Sequence, residues 1–315
     1  MNTTMNVTMN RHAHPRSATL PPLLLSLLLA LPGAALAATP INESRPLDPT
    51  GRIDIENLKG RIQVRAWDRA EVKIAGSLGD GVEKLVVEGD RQHLVVRVEY
   101  PKSSGWGGNK SGPTDLQLMV PLRAELDIES VAANVDVSGV APAKLSIESV
   151  SGDVDLAAAP GEAAVESVSG NLRLTVNSAN VHAETVSGDL VLRGRMNGEI
   201  KAETVSGDID IAVNGERVSE LSANTVSGDA TIRAALASKG ELRFESVSGS
   251  LVLVLPRDLS AQVRGESFSG SLKAPGAKIE KPEHGPGSSF HTRYGSGDGE
   301  IGIETFSGNA ELRLE

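Results

Sequence analysis

The stretch Glu148-Ser-Val-Ser-Gly-Asp-Val-Asp-Leu156 recurs along the chain with small changes, and this recurrence decides the fold. Eight further copies begin at an aligned residue, which is glutamate in all but one of them: Glu129, Glu166, Glu184, Glu203, Asn224, Glu245, Glu266 and Glu304. Successive copies lie 18 to 21 residues apart, except that the last interval is 38 residues. Recurrence at such a period is typical of repeat proteins, in which each unit stacks on its neighbours.

Five apolar columns emerge when the nine copies are aligned on this glutamate or asparagine. The columns lie three and one residues before it and two, six and eight residues after it, and 44 of their 45 positions are apolar, Gly265 being the exception. The pairs Leu145/Ile147 and Val154/Leu156 alternate with period two, as in strands with one buried face. The alternation shifts phase at Glu148-Ser149 and again at Ser151-Gly152-Asp153, which predicts a chain turn at both places. We expect stacking to bury all five columns.

These features predict an all-β fold, specifically a parallel β-solenoid (β-helix) with coils of 18 to 21 residues. The coil should be right-handed, because connections between consecutive parallel strands favour that hand. Residues 122–315 are predicted to form the regular repeats, with a loop insertion at about 275–299. Residues 38–121, where the repeat is weak, are predicted to form an N-terminal β cap with the first irregular coils. Such a cap protects an open sheet edge from aggregation.

Eight of the nine copies contain a glycine that is predicted to form a structural corner, because glycine adopts turn conformations that other residues resist; the copy at Glu129 has Ala133 instead. The eight corner glycines are Gly152, Gly170, Gly188, Gly207, Gly228, Gly249, Gly270 and Gly308.

Residues 1–37 have the features of a secretory signal peptide. Arg11 and Arg16 precede an apolar run from Leu20 to Leu31, and an Ala-x-Ala cleavage site ends at Ala37. The run is too short to span a bilayer, which takes roughly 20 apolar residues. We expect an exported protein, periplasmic or secreted to the medium or cell surface, with no transmembrane segment in the mature chain.

Composition excludes several functions. The 315 residues include no cysteine, so disulfides, thiol nucleophiles and cysteine-ligated metals are absent. The net charge is −10, and it becomes −12 once residues 1–37 and their two arginines are removed. Because nucleic-acid binders gain most of their affinity by neutralising phosphates, this acidity excludes a general nucleic-acid partner. Aromatic residues make up only 3% of the chain, which argues against platforms that stack on bases or sugars.

The repeated glutamate is the most conspicuous candidate for chemistry. In a solenoid, neighbouring carboxylates would lie about 5 Å apart and repel one another by roughly 1 kcal/mol in water. A solvated or hydrogen-bonded column can tolerate this. The alternative is a column of divalent cations, most plausibly Ca²⁺, held between these glutamates and the carboxylates of the predicted turn. Its ligands would be Glu148, Glu166, Glu184, Glu203, Asp153, Asp189 and Asp208. The solvated column is the preferred interpretation, so neither a metal site nor a cofactor is predicted.

The residue after the aligned glutamate is always Ser or Thr. A serine nucleophile needs a base within reach and occurs once in an enzyme, whereas these hydroxyls recur in every copy and no histidine recurs with them. We therefore expect ladders of hydroxyls that bond the corner backbone, and we predict no catalytic residue. Trp106, in the Gly- and Ser-rich stretch 102–113, is the one residue singled out for recognition, with a flexible loop tip as the alternative.

The pattern Glu-Ser/Thr-Val-Ser-Gly-Asp-apolar-x-apolar, together with the opening Arg61 to Ile74, resembles the putative adhesin family of bacterial β-strand-repeat domains of unknown function. The resemblance covers residues 50–315. It implies an exported, envelope-associated β-solenoid with a binding or structural role and no enzymatic activity. Its partner would be an envelope polymer, a glycan or a surface protein.

Two alternatives stay open. The first is a β-helix polysaccharide lyase or hydrolase, which would need acids and bases that converge on one groove. The second is a self-assembling envelope scaffold, suggested by the strand-like run Ala310 to Glu315 at the end of the chain, which has no obvious cap.

Overall fold

The computed structural model describes residues 39–101 and 111–315, so the predicted signal peptide lies outside the described residues. This part of the chain contains 24 strands. In chain order, the first twelve are β1 (Thr39–Pro46), β2 (Arg52–Trp67), β3 (Glu71–Leu78), β4 (Lys84–Gly89), β5 (His93–Glu99), β6 (Thr114–Pro121), β7 (Glu125–Ser138), β8 (Lys144–Ser149), β9 (Val154–Ala158), β10 (Glu162–Ser167), β11 (Leu172–Ser178) and β12 (Asn180–Thr185). The others are β13 (Leu190–Met196), β14 (Glu199–Thr204), β15 (Ile209–Val213), β16 (Val218–Thr225), β17 (Ala230–Arg233), β18 (Leu236–Ser246), β19 (Leu251–Leu255), β20 (Ala261–Ser267), β21 (Leu272–Lys273), β22 (Ser288–Tyr294), β23 (Gly299–Thr305) and β24 (Ala310–Leu314). None of the described residues forms a helix that could cross a membrane.

Most strands belong to two parallel stacks, because each coil adds one strand to each stack. The first stack runs in spatial order β5, β2, β7, β8, β10, β12, β14, β16, β18, β23, β20. The second runs β6, β2, β7, β9, β11, β13, β15, β17, β19, β24, β21, and the long strands β2 and β7 take part in both. Equivalent repeat residues lie side by side, for example Glu148 and Glu166. The predicted parallel β-solenoid is confirmed.

The core lies between the two stacks and is almost wholly aliphatic. Four of the five predicted columns are buried, as Leu145, Ile147, Val154 and Leu156 show within one coil. Phe244 is the largest fully buried side chain. Because strands of a parallel stack lie only about 4.8 Å apart, each buried side chain packs on its equivalents in the coils above and below.

The fifth column, two residues after the glutamate, is not buried, so this part of the prediction was wrong. Val150 keeps 45% of its surface exposed, whereas Ser149 keeps only 5%. The turn expected at Glu148-Ser149 does not occur, because β8 continues through Ser149 and its inward and outward alternation continues with it. The chain turns only after Ser149. This leaves the hydroxyl inside and the valine outside.

The corner glycines are required for a different reason than the sequence suggested. None of the eight has the left-handed backbone conformation that favours glycine. A Cβ atom on Gly228 would instead overlap the carbonyl of Gly207 in the neighbouring coil, and most of the others face an equivalent glycine carbonyl in the same way. The corners therefore pack backbone against backbone.

At the N-terminal end of the solenoid, antiparallel strands pair with the outermost strands of the two stacks. Strand β2 lies between β7 and the outermost pair β5 and β6, although it precedes all three in the chain. Strand β4 pairs antiparallel with β5, while β3 pairs antiparallel with β6 and β1 with β3. Antiparallel strands therefore cover the outer edges of both stacks at this end.

The C-terminal end has an unexpected strand order. Strands β23 and β24, from the last repeat, lie between β18/β19 and β20/β21, so the final coil of the chain is the second from the end in space. The 38-residue interval gives the chain room to travel outward and return. Strand β24 pairs with β19 along its whole length and with β21 only at Ala310 and Glu311, so the edge expected at residues 310–315 is covered at its start and, among the described strands, unpaired on one side from Leu312 to Leu314.

The predicted loop insertion at 275–299 contains a strand. Within it, β22 pairs antiparallel with β20 and covers the outer edge of the first stack. Phe290 on β22 is buried, and its ring occupies the space where a Cβ atom of Gly265 would lie. Gly265 is the single break in the five apolar columns, and the phenylalanine of the covering strand fills the gap.

Candidate functional site

Two exposed columns of side chains run side by side along the solenoid. The first, here called the Glu column, consists in spatial order of Glu56, Glu129, Glu148, Glu166, Glu184, Glu203, Asn224, Glu245, Glu304 and Glu266. The second, here called the valine ladder, consists of Val131, Val150, Val168, Val186, Val205, Val226, Val247, Phe306 and Phe268, which are between 41% and 56% exposed. Nine members about 4.8 Å apart give the ladder a length of roughly 38 Å. Its two phenylalanine rings stack with centroids 4.7 Å apart.

A buried column of hydroxyl side chains separates the Glu column from the valine ladder. Its members are Ser130, Ser149, Ser167, Thr185, Thr204, Thr225, Ser246, Thr305 and Ser267. The Ser149 hydroxyl accepts a hydrogen bond from Gly152 N–H and donates one to Gly152 O, both at 3.1 Å. Several other coils repeat one or both of these bonds. The expected hydroxyl ladder that bonds the corner backbone is confirmed in most coils, whereas the buried hydroxyls of Thr204 and Thr225 have no hydrogen-bond partner within the described part of the chain.

The Glu column and the valine ladder enclose a long open groove. Its C-terminal stretch has a volume of about 1100 Å³ and its N-terminal stretch one of about 660 Å³. Both stretches include Glu184, so they adjoin. Leu58, Arg97 and Tyr100 line the N-terminal end, while Lys281 and Pro282 lie at the C-terminal end.

The Glu column is only partly neutralised by its neighbours. Lys201 lies 3.1 Å from Glu203, but Arg243, at the equivalent position of its own coil, pairs with Glu241 rather than with a column member. Arg97 Nη1 lies 3.6 Å from Glu56 Oε1 at the N-terminal end. Ten glutamates line the groove, against Arg97 and Lys281 among the described lysines and arginines. The groove therefore carries a strong negative charge.

Two members of the Glu column have pKa values shifted in opposite directions. Partial burial raises the pKa of Glu129, and the charges of Glu56 and Glu148 on either side raise it further. Partial burial also acts on Glu203, but the side chains of Asn224 and Lys201 outweigh it and lower the pKa of Glu203. The Asn224 amide donates to Glu203 Oε1 at 3.0 Å. The one interruption of the column thus stabilises its neighbour as a carboxylate.

The corner aspartates are engaged by the backbone of the next coil. Asp189 Oδ1 accepts a hydrogen bond from Asp208 N–H at 3.1 Å, and Asp208 Oδ1 accepts one from Asp229 N–H at 2.8 Å. Asp153 holds the N–H of Asn171 in the same way. Asp, Asn and Ser occupy this position because most of them form this ladder.

The groove lining includes Glu148, Glu166, Glu184 and Glu203 but not Asp153, Asp189 or Asp208. Among the described residues, no group of three or more His, Asp or Glu side chains could hold a metal ion. The cation column stays an untested prediction. Trp106 lies outside the described residues, so its predicted role in recognition is also untested.

The sequence reasoning missed the groove itself. Each valine of the ladder was assigned to the core because it is apolar in every copy. The overlooked signal was the alternation of the strand, which places Leu145, Ile147 and Ser149 on one face and therefore places Val150 on the other. The residues at the two ends of the groove, such as Tyr100 and Pro282, lie outside the repeat. The repeat pattern therefore gives no sequence signal for them.

The stacked coils with a lengthwise groove define a parallel β-solenoid of the strand-repeat class. The chain belongs to the Toastrack DUF4097 family, whose model matches residues 109–241 and 210–313. This result confirms the family resemblance that the repeats suggested. No curated protein matches the chain.

Solved structures from bacteria are similar in fold. A protein named "putative lipid binding protein" from Parabacteroides distasonis is 15% identical, with 87% of this chain and 97% of that chain covered and a TM-score of 0.51. Proteins named "putative adhesin" from Bacteroides fragilis and from Parabacteroides distasonis are 11% and 12% identical, each with 88% of this chain and 98% of that chain covered and a TM-score of 0.43.

Proposed function

We propose that this protein is an exported, non-enzymatic β-solenoid of the cell envelope that binds an elongated ligand in the groove. The ligand would be an envelope polymer, a glycan or a surface protein. The adhesin-type names of several proteins with similar folds are in keeping with this proposal. Export is supported by the charged, apolar and Ala-x-Ala segments of residues 1–37.

The valine ladder is the observation that carries the proposal. Contiguous exposed apolar surface is uncommon in proteins without a binding partner, and larger patches typically mark sites of interaction. Here an apolar residue occupies the exposed position in all nine copies. A polar side chain would serve equally well at an exposed corner if stability were the sole demand. The repetition therefore favours a role in binding.

A polysaccharide lyase or hydrolase is less well supported. Such an enzyme places one acid and one base, or two carboxyl groups, at a single bond of the substrate. In this groove the glutamates recur from coil to coil beside the same hydroxyl column and valine ladder. The arrangement suits repeated contact along a ligand rather than chemistry at one point.

The test compares binding of two triple variants to envelope preparations from the native host. We expect Val168→Ser/Val186→Ser/Val205→Ser to lose most of the binding, because it removes three adjacent members of the ladder. The matched control is Val191→Ser/Val252→Ser/Val254→Ser, which alters partly exposed valines outside the groove. Equal binding by both variants, with circular dichroism confirming that both fold, would contradict the proposal.

Export and the absence of catalysis need separate measurements. Fractionation of native cells should place the protein in the periplasm, the envelope or the medium, with an N-terminus at residue 38. Purified protein should release no fragments from acidic or neutral polysaccharides. Cytosolic protein with an intact N-terminus, or degradation that depends on the glutamates of the groove, would overturn the corresponding part of the proposal.

A further inference from the structure

The two walls of the groove make different demands on a ligand. The Glu column repeats a carboxylate about every 4.8 Å, with Asn224 as its one uncharged member. The valine ladder runs beside nine of its ten members and has the same period. A ligand that covers the whole groove must therefore present positive charge and apolar surface side by side for roughly 38 Å.

Most classes of ligand are complementary to at most one of the two columns, the Glu column or the valine ladder. Nucleic acids, anionic polymers and acidic lipid headgroups are repelled by the glutamates, which outnumber the cations of the lining ten to two. A neutral glycan brings no positive charge and finds few aromatic rings, since Tyr100, Phe268 and Phe306 are the aromatic residues that line the described groove. A polyamine or a metal ion satisfies the carboxylates but leaves the valines exposed.

From this charge complementarity we infer that the groove binds a cationic, amphipathic polypeptide segment of a partner protein. Lysine or arginine side chains of the segment lie against the Glu column, and its apolar side chains lie against the valine ladder. This inference rests on the proposed function and names the chemistry of the partner. A polypeptide is the ligand class that can place both kinds of side chain at regular spacings along one chain.

The length of the groove sets the size of the segment. A helix that rises 1.5 Å per residue would need about 25 residues to span 38 Å, and an extended chain would need about 11. Arg97 and Tyr100 line one end of the described groove, and Lys281 and Pro282 line the other. The two terminal cations oppose positive charge beyond the ends, so a segment of limited length fits better than a long polymer.

The experiment measures binding of fluorescent model peptides of about 25 residues to the mature protein. The first peptide contains leucine and lysine so arranged that a helix has one apolar and one basic face, and in the second every lysine is replaced by glutamate. The third is oligolysine with the same charge as the first.

We expect the leucine/lysine peptide to bind most tightly and oligolysine to bind more weakly, with no binding of the leucine/glutamate peptide. Added salt should weaken binding of oligolysine more than that of leucine/lysine, because salt screens charge but leaves apolar contact.

Variants of the protein separate the contribution of the valine ladder to peptide binding from that of the Glu column. Val205→Ser/Val226→Ser/Val247→Ser should weaken leucine/lysine binding at least about tenfold and leave oligolysine unchanged. Glu184→Gln/Glu245→Gln/Glu304→Gln should weaken both peptides and reduce the salt dependence. The matched controls are Val191→Ser/Val252→Ser/Val254→Ser and Glu162→Gln/Glu199→Gln/Glu220→Gln, whose positions lie outside the groove lining. We expect both controls to bind like the unaltered protein.

The outcomes separate this inference from the proposed function. If native envelopes bind through the valine ladder but the leucine/lysine peptide neither binds nor competes, the inference about the partner is overturned while the groove keeps its function. Equal binding of the leucine/lysine and leucine/glutamate peptides would also overturn the inference. If the ladder variant retains envelope binding, the proposed function itself fails.

Discussion

The buried hydroxyl column and the exposed valine ladder are neighbours in the chain and opposites in their environment. In each coil a serine or threonine is turned into the protein and the valine or phenylalanine that follows is turned out to solvent. This reverses the usual distribution, in which hydroxyl side chains are mostly exposed and valine is among the most often buried residues. Any explanation must account for both positions together.

The difference teaches that the corner, rather than residue polarity, decides which side chain is buried. The chain must turn within a few residues, and the turn leaves backbone groups that need hydrogen-bond partners inside the protein. A serine hydroxyl can accept from the corner N–H and donate to the corner carbonyl at once, as Ser149 does with Gly152. A valine at that position could do neither. The valine ladder faces outward because the inner position is already taken by a group that the corner requires.

The largest effect should follow from altering the corner itself. Gly228→Ala places a Cβ atom against the carbonyl of Gly207 and must push two coils apart, so we expect it to lower the free energy of unfolding by about 3 kcal/mol. Chemical denaturation measures this. The control is Gly302→Ala, since a Cβ atom there meets no atom within 4 Å and the backbone is not left-handed. A similar loss in both variants would show that the close approach at the corner is not the cause.

Smaller losses of stability should distinguish the hydroxyl column from the valine ladder. Ser149→Ala leaves the buried Gly152 N–H without its acceptor, and we expect a loss of about 1–2 kcal/mol in the free energy of unfolding. Val150→Ser, one residue along the chain, should change stability by less than about 0.5 kcal/mol because the side chain is already half exposed. Denaturation of both variants under one set of conditions tests the comparison. If Val150→Ser costs as much as Ser149→Ala, the valine ladder has a structural role that we do not assign to it.

The smallest effects on stability should come from the Glu column, which lies beside the hydroxyl column and the valine ladder. The pKa of Glu129 is raised, so its ionised form opposes folding, and Glu129→Gln should stabilise the protein near neutral pH but not below its pKa. The pKa of Glu203 is lowered, so its ionised form favours folding, and that contribution is lost as the pH falls through its pKa. Glu203→Gln should therefore destabilise the protein at neutral pH. We expect changes of a few tenths of a kcal/mol, since both groups are partly exposed and screened.

Denaturation midpoints of the two variants at about pH 7 and about pH 3 test these signs. Both differences from the unaltered protein should shrink at the lower pH, where the carboxylates are protonated. Shifts of the same sign for Glu129→Gln and Glu203→Gln at neutral pH would contradict the assigned environments.

The repeat was sufficient to predict the fold because nearly the same apolar pattern recurs in all nine copies. Leu145, Ile147, Val154 and Leu156 alternate as strand residues do, and each has an apolar equivalent in almost every copy. Stacking is the arrangement that buries such a pattern, so the solenoid and most of its core could be derived. The hydroxyl ladder could be derived as well, because serine beside a recurring glycine has few other roles.

Two features were not predicted, for different reasons. The valine ladder was assigned to the core because apolarity was given more weight than the alternation of the strand, and with it the candidate groove was missed. The order of the last coils could not be derived at all. The repeats that begin at Glu266 and Glu304 are nearly interchangeable, so either fits the slot beside Glu245. The covering strand β22, with Phe290 over Gly265, decides which of them is outermost.

The inward position of the final coil has a consequence for how such a protein can change its length. A repeat inserted directly after β24 could not stack beside Ala310 and Glu311, because β24 already has neighbours on both sides there. The same holds at the beginning, where β2 is enclosed by β5, β6 and β7. Copies can be gained or lost without rebuilding either end only in the middle, between the coils of Val131 and Val247. Each such event would lengthen or shorten the groove by one step of about 4.8 Å, so relatives with different repeat numbers should differ in the reach of the groove while both ends stay the same.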